Sequence, residues 1–264
     1  MDPQEIKERI IGKARSLGVN LIRTCTVQKW EEIPLQPREF WPQSIWPWVK
    51  SVIVLGIPLF SPMVATTPSM VYQELYDTSN RVLDDCAYRL TNYIVAELGL
   101  RAVYFPRDCY YGIRELLARP AAAFSHVLAG YYAGMGTIGD SHNLLTPEFG
   151  PRLRIVSVLT DAPVSPDAML QKNLCLHCRK CLKNCPSHAF SEDGGAIYRM
   201  DKYKPAIFGS HVPRPTSFPP GYPAGTNGVK WTKAPQTSPW PPAPKASARL
   251  ILPKWLHPSF CLKY

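Results

Sequence analysis

The sequence predicts an α/β protein with a small metal-binding module attached. Three observations lead there. Two strand-length apolar runs, SVIVLGI (residues 51–57) and LRIVSVL (153–159), read as strands covered on both faces. Between them lies a long amphipathic pattern over residues 70–98. After the second run come four closely spaced cysteines, Cys175, Cys178, Cys181 and Cys185.

The elements follow in order. Residues 3–17 read as a helix with Ile6, Ile10, Ala14 and Leu17 on one face and Gly18 as its stop. Residues 19–22 form a short strand. Residues 30–48 carry four Trp among prolines and read as a loop packed by aromatics. The strand at 51–57 is followed by a loop to residue 68. In the long helix, Leu75, Val82, Leu83, Cys86, Leu90, Ile94 and Leu98 recur at three- and four-residue steps, and Gly99 ends it. Residues 102–105 are a strand, 106–112 a polar loop, and 121–133 a buried helix of small and aromatic residues. The strand at 153–159 is closed by Thr160 and Asp161. Helices thus alternate with apolar strands. After about residue 203 the periodicity stops: residues 205–258 hold thirteen Pro and no acid, an irregular segment.

Composition bounds the function. The 264 residues suffice for one large domain plus a small module. The N-terminal sequence MDPQEIKERI is not a secretory leader, and no apolar run reaches membrane-spanning length. The eight cysteines then belong to a reducing, cytoplasmic compartment and to metal rather than disulfides. The net charge is +10, but residues 201–264 contribute +8 of it. Basicity is a property of the tail, and any attraction to tRNA phosphates would be driven from there.

The run C-x2-C-x2-C-x3-C-P at 175–186 is the bacterial ferredoxin pattern for an iron–sulfur cluster. Zinc sites usually split into two separated pairs, so four thiols this compact suit zinc poorly. His177 and His188 read as surface residues rather than ligands. In two-cluster ferredoxins the fourth Cys of such a run serves the other cluster, yet no second run follows here. Either Cys185 closes a single cluster, or Cys261 or an upstream thiol does, or a second cluster has been lost. Cys86 reads as core, Cys25 as a strand end, and Cys109 as a loop residue.

Gly134, Gly136 and Gly139 form G-x-G-x-x-G, with Asp161 at about the distance of a ribose-binding acid. A dinucleotide site is rejected because the motif follows a helix-like segment rather than a strand. Two readings remain. The glycines let backbone pass close to a neighbour, or they let the chain approach a large planar cofactor. In the second, His126, His142, Asn143, Arg152 and Arg154 are polar groups near its cavity.

The stretch AAAFSHVLAGYYAGMGTIGDSHNLLTPEFGPRLRIVSVLTDAPV, followed by CLHCRKCLKNCP, resembles the core of the epoxyqueuosine reductase and reductive dehalogenase superfamily. WPQSIWPWVKSVIVLGIPL and VYQELYDTSNRVLDDCAYRLTNYI match the same group, so the resemblance covers roughly residues 1–203. It implies a nitroreductase-like mixed sheet with flanking helices (1–165), holding a corrinoid such as cobalamin. It further implies a ferredoxin-type module carrying two [4Fe–4S] clusters, of which residues 166–203 hold the one cysteine run present, fed by a ferredoxin or flavodoxin. Gly134, Gly136, Gly139, His126, His142 and Arg152 would contact the cofactor, and the four cysteines would bind iron. The expected function is a reductase passing electrons from cluster to corrinoid or substrate. The alternative is an electron-transfer or redox-sensing protein without its own substrate. Relatives continue after MDKY into a second cysteine run, whereas residues 204–264 are a basic, Pro-rich tail, as an altered C-terminus such as a frameshift would give. No catalytic acid or tyrosine of the family can be matched.

Overall fold

The computed structural model describes residues 2–67, 69–106, 122–192 and 199–201. The tail at 204–264, Cys109 and Cys261 lie outside the described residues.

Helix α1 (Pro3–Ser16) begins where sequence chemistry places it. The Asp2 side chain accepts the Gln4 N–H at 3.0 Å, and Pro3 presets the first turn. Its buried stripe includes Ile6, Ile10 and Ala14, and Gly18 turns away at φ 87°. Strand β1 (Leu21–Thr26) runs further than its apolar start suggests, because pairing with β2 and the bonds made by Thr24 extend it. The aromatic loop contains α2 (Lys29–Glu32), a 3-10 turn (Arg38–Phe40) and α3 (Pro42–Ile45). Strand β2 (Ser51–Pro58) follows, then α4 (Ser61–Val64) and the long α5 (Met70–Ala96), N-capped by Ser69. The remaining elements are β3 (Ala102–Phe105), α6 (His126–Tyr132), β4 (Thr137–Ile138), β5 (Leu144–Leu145), β6 (Leu153–Thr160), α7 (Lys180–Asn184), β7 (Phe190–Ser191) and β8 (Arg199–Met200).

The main sheet has the order β1-β2-β6-β3. Its three pairings are all antiparallel, where the family resemblance implies a mixed sheet. The α/β layering holds, and the reason for the difference is physical. The continuous apolar runs of β2 and β6 report burial on both faces, not strand direction. One face, with Ile53, Leu55, Val156 and Val158, packs under α1 and α5. The other, with Val52, Val54 and Leu159, packs against α6 and the aromatic loop. There Trp30, fully buried, lies 4.5 Å from the Tyr132 ring, and Phe105 stacks on Phe124 at 4.9 Å. The Tyr132 hydroxyl donates to the Ile33 carbonyl at 2.5 Å, tying α6 to the loop, and burial pushes its pKa up to about 12. The buried stripe of α5 is Leu75, Ser79, Leu83, Cys86, Leu90 and Ile94. Val82 is the exception to the sequence expectation, standing 43% exposed on the flank of that stripe.

A strap of irregular chain, residues 161–174, carries the cysteine run to this body. Asp161 accepts from the Arg101 backbone N–H at 2.8 Å and from Arg101 Nε at 2.7 Å. The Ser51 hydroxyl donates to the Ala162 carbonyl and accepts from the Val164 N–H. Asp167 then locks onto β1: its N–H donates to the Thr24 carbonyl, and its Oδ2 accepts the Thr24 N–H, each at 2.8 Å. Its Oδ1 meets Lys7 Nζ of α1 at 2.7 Å. One residue on, the strap crosses Gly134, which sits at φ 69°. A Cβ there would come within 2.0 Å of the Ala168 carbonyl oxygen. Finally Asn173 and Leu174 bond to the Thr137 hydroxyl of β4.

Three substitutions test this packing by urea unfolding. Leu90→Ala should cost about 2–5 kcal/mol, whereas Val82→Ala should stay within about 0.5 kcal/mol. Gly134→Ala combines a positive φ with a backbone collision and should cost on the order of 3 kcal/mol.

Candidate metal centre

The cysteine loop starts at a fixed point. The Cys175 N–H donates to Asn173 Oδ1 at 2.9 Å, and Asn173 is itself held by Thr137. Beyond it the backbone takes left-handed turns at His177 (φ 48°), Arg179 (φ 61°) and His188 (φ 47°). These are the bends that let so short a segment fold around a centre. Cys175, Cys181 and Cys185 are half-buried and Cys178 is exposed. The single turn of α7 carries Cys181, and Cys185 caps its end.

The thiols differ electrostatically. Partial burial pushes Cys185 up, but hydrogen bonds outweigh it and hold the thiol below its ordinary value. They come from the Ser187 hydroxyl and from the backbone N–H groups of Ala189, Ser187 and His188. Donors of this kind stabilise a thiolate and tune a bound cluster. Cys181 is raised, first by partial burial and then by the nearby Asp140 and Cys175 against N–H donors of its own turn. Cys25 is fully buried, which pushes its thiol well up and makes it inert. Cys86 is raised for the same reason and lies within 3.3 Å of the Leu17 carbonyl.

This donor set fits an iron–sulfur cluster. Four thiols at two- and three-residue gaps, three of them half-buried, with hydroxyl and N–H donors turned on Cys185, are the donor chemistry such a cluster needs.

The other sequence-selected residues are spread over several elements. His126 begins α6, with Nδ1 2.9 Å from Ser157 Oγ of β6 and Nε2 3.2 Å from the Pro106 carbonyl. His142 sits in the β4–β5 turn at φ 61°, its ring 6.1 Å from Phe190. Arg152 precedes β6, its carbonyl accepting the Leu59 N–H. Arg154 donates to the buried Asn80 at 2.8 Å and lies over the Tyr76 ring. The glycine turn is filled by the chain itself. Ala168 occupies the Cβ direction of Gly134, the Leu145 carbonyl that of Gly136 (2.2 Å), and the Leu145 side chain that of Gly139 (2.8 Å). No ring-sized cradle is left at that turn. Asp161, bonded to Arg101, is engaged otherwise than as a ribose acid. Asp140 is the residue that motif-matching misses. It is 3% exposed and its Oδ2 lies 3.0 Å from His177 Nδ1, so the glycine turn reaches the cysteine loop through it. Its one signal in sequence is an acid directly after Gly139.

Comparison with known proteins bears on the fold of the chain. No family model matches the chain. It is 30% identical over 147 residues to a tetrachloroethene reductive dehalogenase of Dehalobacter restrictus, covering 54% of this chain and 24% of that enzyme. It is 23% identical over 221 residues to an epoxyqueuosine reductase of Bacillus cereus, covering 74% of this chain and 54% of the enzyme. Among solved structures, a reductive dehalogenase described with a mechanism for B12-dependent dehalogenation superposes at a TM-score of 0.57 and 21% identity. That match covers 78% of this chain and 29% of the other. The chain spans between about a quarter and about half the length of these proteins. By sequence the chain is similar to epoxyqueuosine reductases and reductive dehalogenases, and its α/β fold is like that of a reductive dehalogenase.

Proposed function

We propose that this chain is an oxidoreductase in which Cys175, Cys178, Cys181 and Cys185 hold a [4Fe–4S] cluster. Held there, such a cluster would supply one-electron chemistry for an acceptor in the α/β body. The observation that carries the reading is a strap-anchored run of four thiols with hydrogen-bond donors turned on Cys185. The homologues are named as reductases, which supports a redox role. The chain's own residues hold the thiolates, stabilise Cys185 by hydrogen bonding, and fix the loop against β1 and β4 through Asp167 and Asn173.

An external donor of the ferredoxin or flavodoxin class would reduce the cluster. The acceptor is the substrate itself or a corrinoid, as the resemblance and the B12-related neighbour suggest; a corrinoid would have to lie away from the glycine turn, which the chain itself fills. His126, His142 and Arg152, carried on separate elements, are the polar residues we propose for the acceptor's surroundings. The basic tail, which motivates a tRNA partner, lies outside the described residues. No helix among the described residues is long and apolar enough to cross a membrane.

Anaerobically purified protein should contain about four iron and four acid-labile sulfide per chain and show a reduced-cluster EPR signal after dithionite. Cys181→Ser should lose most of the iron. A colourless protein, or zinc bound in the loop, would overturn the assignment. Separately, cobalamin added to iron-loaded protein should shift its visible absorption. An unchanged spectrum would leave the substrate as the direct acceptor.

A further inference from the structure

The first thiol of the run has two neighbours that cluster binding does not use. Asp140 lies in the β4–β5 turn and is almost wholly buried. His177 places Nδ1 3.0 Å from Asp140 Oδ2. Cys175 Sγ completes a group whose three ligand atoms all lie within 4.8 Å of one another. A tetrahedral ion with bonds of about 2.0–2.3 Å holds its ligands about 3.3–3.8 Å apart. A small inward adjustment therefore closes these three around one ion. They stand too close together to occupy three different irons of one cube.

Chemistry and anchoring favour the same conclusion. Thiolate, imidazole and carboxylate together suit zinc- and cobalt-type divalent ions. A carboxylate this buried is costly unless its charge is compensated. His177 is its hydrogen-bond partner among the described residues, and that side chain is 56% exposed. The ligands are also held in advance. Cys175 is fixed at its N–H by Asn173, Asp140 by the β4–β5 turn, and His177 is turned back by its left-handed backbone.

We propose that Asp140, Cys175 and His177 form a mononuclear site for a zinc- or cobalt-type divalent cation, with a fourth position open to solvent. Because Cys175 is shared, this ion and the iron–sulfur cluster exclude one another. The second statement rests on the cluster assignment; the first does not.

Co2+ is the probe, added to full-length reduced protein freed of iron. The variant Cys178→Ser/Cys181→Ser/Cys185→Ser removes the rest of the run and leaves the three proposed ligands. It should bind one Co2+ per chain, with a thiolate-to-cobalt charge-transfer band and intense tetrahedral ligand-field bands. Adding Asp140→Asn should weaken binding by about tenfold or more, and adding Cys175→Ser should abolish the charge-transfer band. His177→Ala, at an exposed position, makes the same test should the buried Asp140 variant fail to fold by circular dichroism. A triple variant without the band, or one whose Co2+ affinity ignores the Asp140 and His177 changes, overturns the site.

For exclusion, zinc-preloaded protein with the native cysteines should take up less iron on reconstitution, and Asp140→Asn should relieve that block. A block that persists in Asp140→Asn overturns the exclusion. Failure of the native protein to build a cluster without zinc would instead strike the cluster assignment, independently of the cobalt result.

Discussion

The position of the cysteine run depends on one carboxylate. Asp167 exchanges hydrogen bonds with both backbone groups of Thr24 and makes an ion pair with Lys7, so the irregular strap is pinned to the edge of β1. The run itself has little to fold around. It consists of one turn of α7, a two-residue hairpin and half-exposed thiols, with Leu176 87% exposed. A segment so poor in buried apolar surface cannot fix its own location. It inherits a location from the strap, through Asp167, the Ala168–Gly134 crossing, and the bonds of Asn173 and Leu174 to Thr137.

The glycine turn acquires its meaning from that dependence. Gly134 and Gly136 have no side chains because backbone from Ala168 and from Leu145 passes where a Cβ would be. The turn therefore serves as a crossing that brings the strap onto β4, and it delivers Asp140 to the edge of the cysteine loop. Body and loop share a boundary at which a buried acid, a histidine and the first thiol meet.

Much of the body is legible in the sequence because its signals are local. Asp2–Pro3 marks the start of α1 and Gly18 its end, residues 51–57 and 102–105 are strands as written, and the spacing of Leu75, Leu83, Cys86, Leu90 and Ile94 gives the inner face of α5. Val82 misleads because one hydrophobic step off the stripe looks the same in sequence as one on it. Strand direction is not written in the apolar runs, since two-sided burial produces them in either orientation. At the site, the cysteine spacing is a local pattern and is readable. Asp140 and Asp167 are not, because what matters about them is a contact with residues 37 and 143 positions away, respectively.

Residue-resolved hydrogen exchange on the native protein tests the anchoring most directly. Amides of Thr24, Asp167, Leu174 and Cys175 should be protected nearly as well as Val54 in the centre of the sheet, because opening them requires undocking the strap. Exchange of Leu174 and Cys175 at the rate of free amides, with Val54 still protected, would show a cysteine run that hangs loose from the body and would contradict the account.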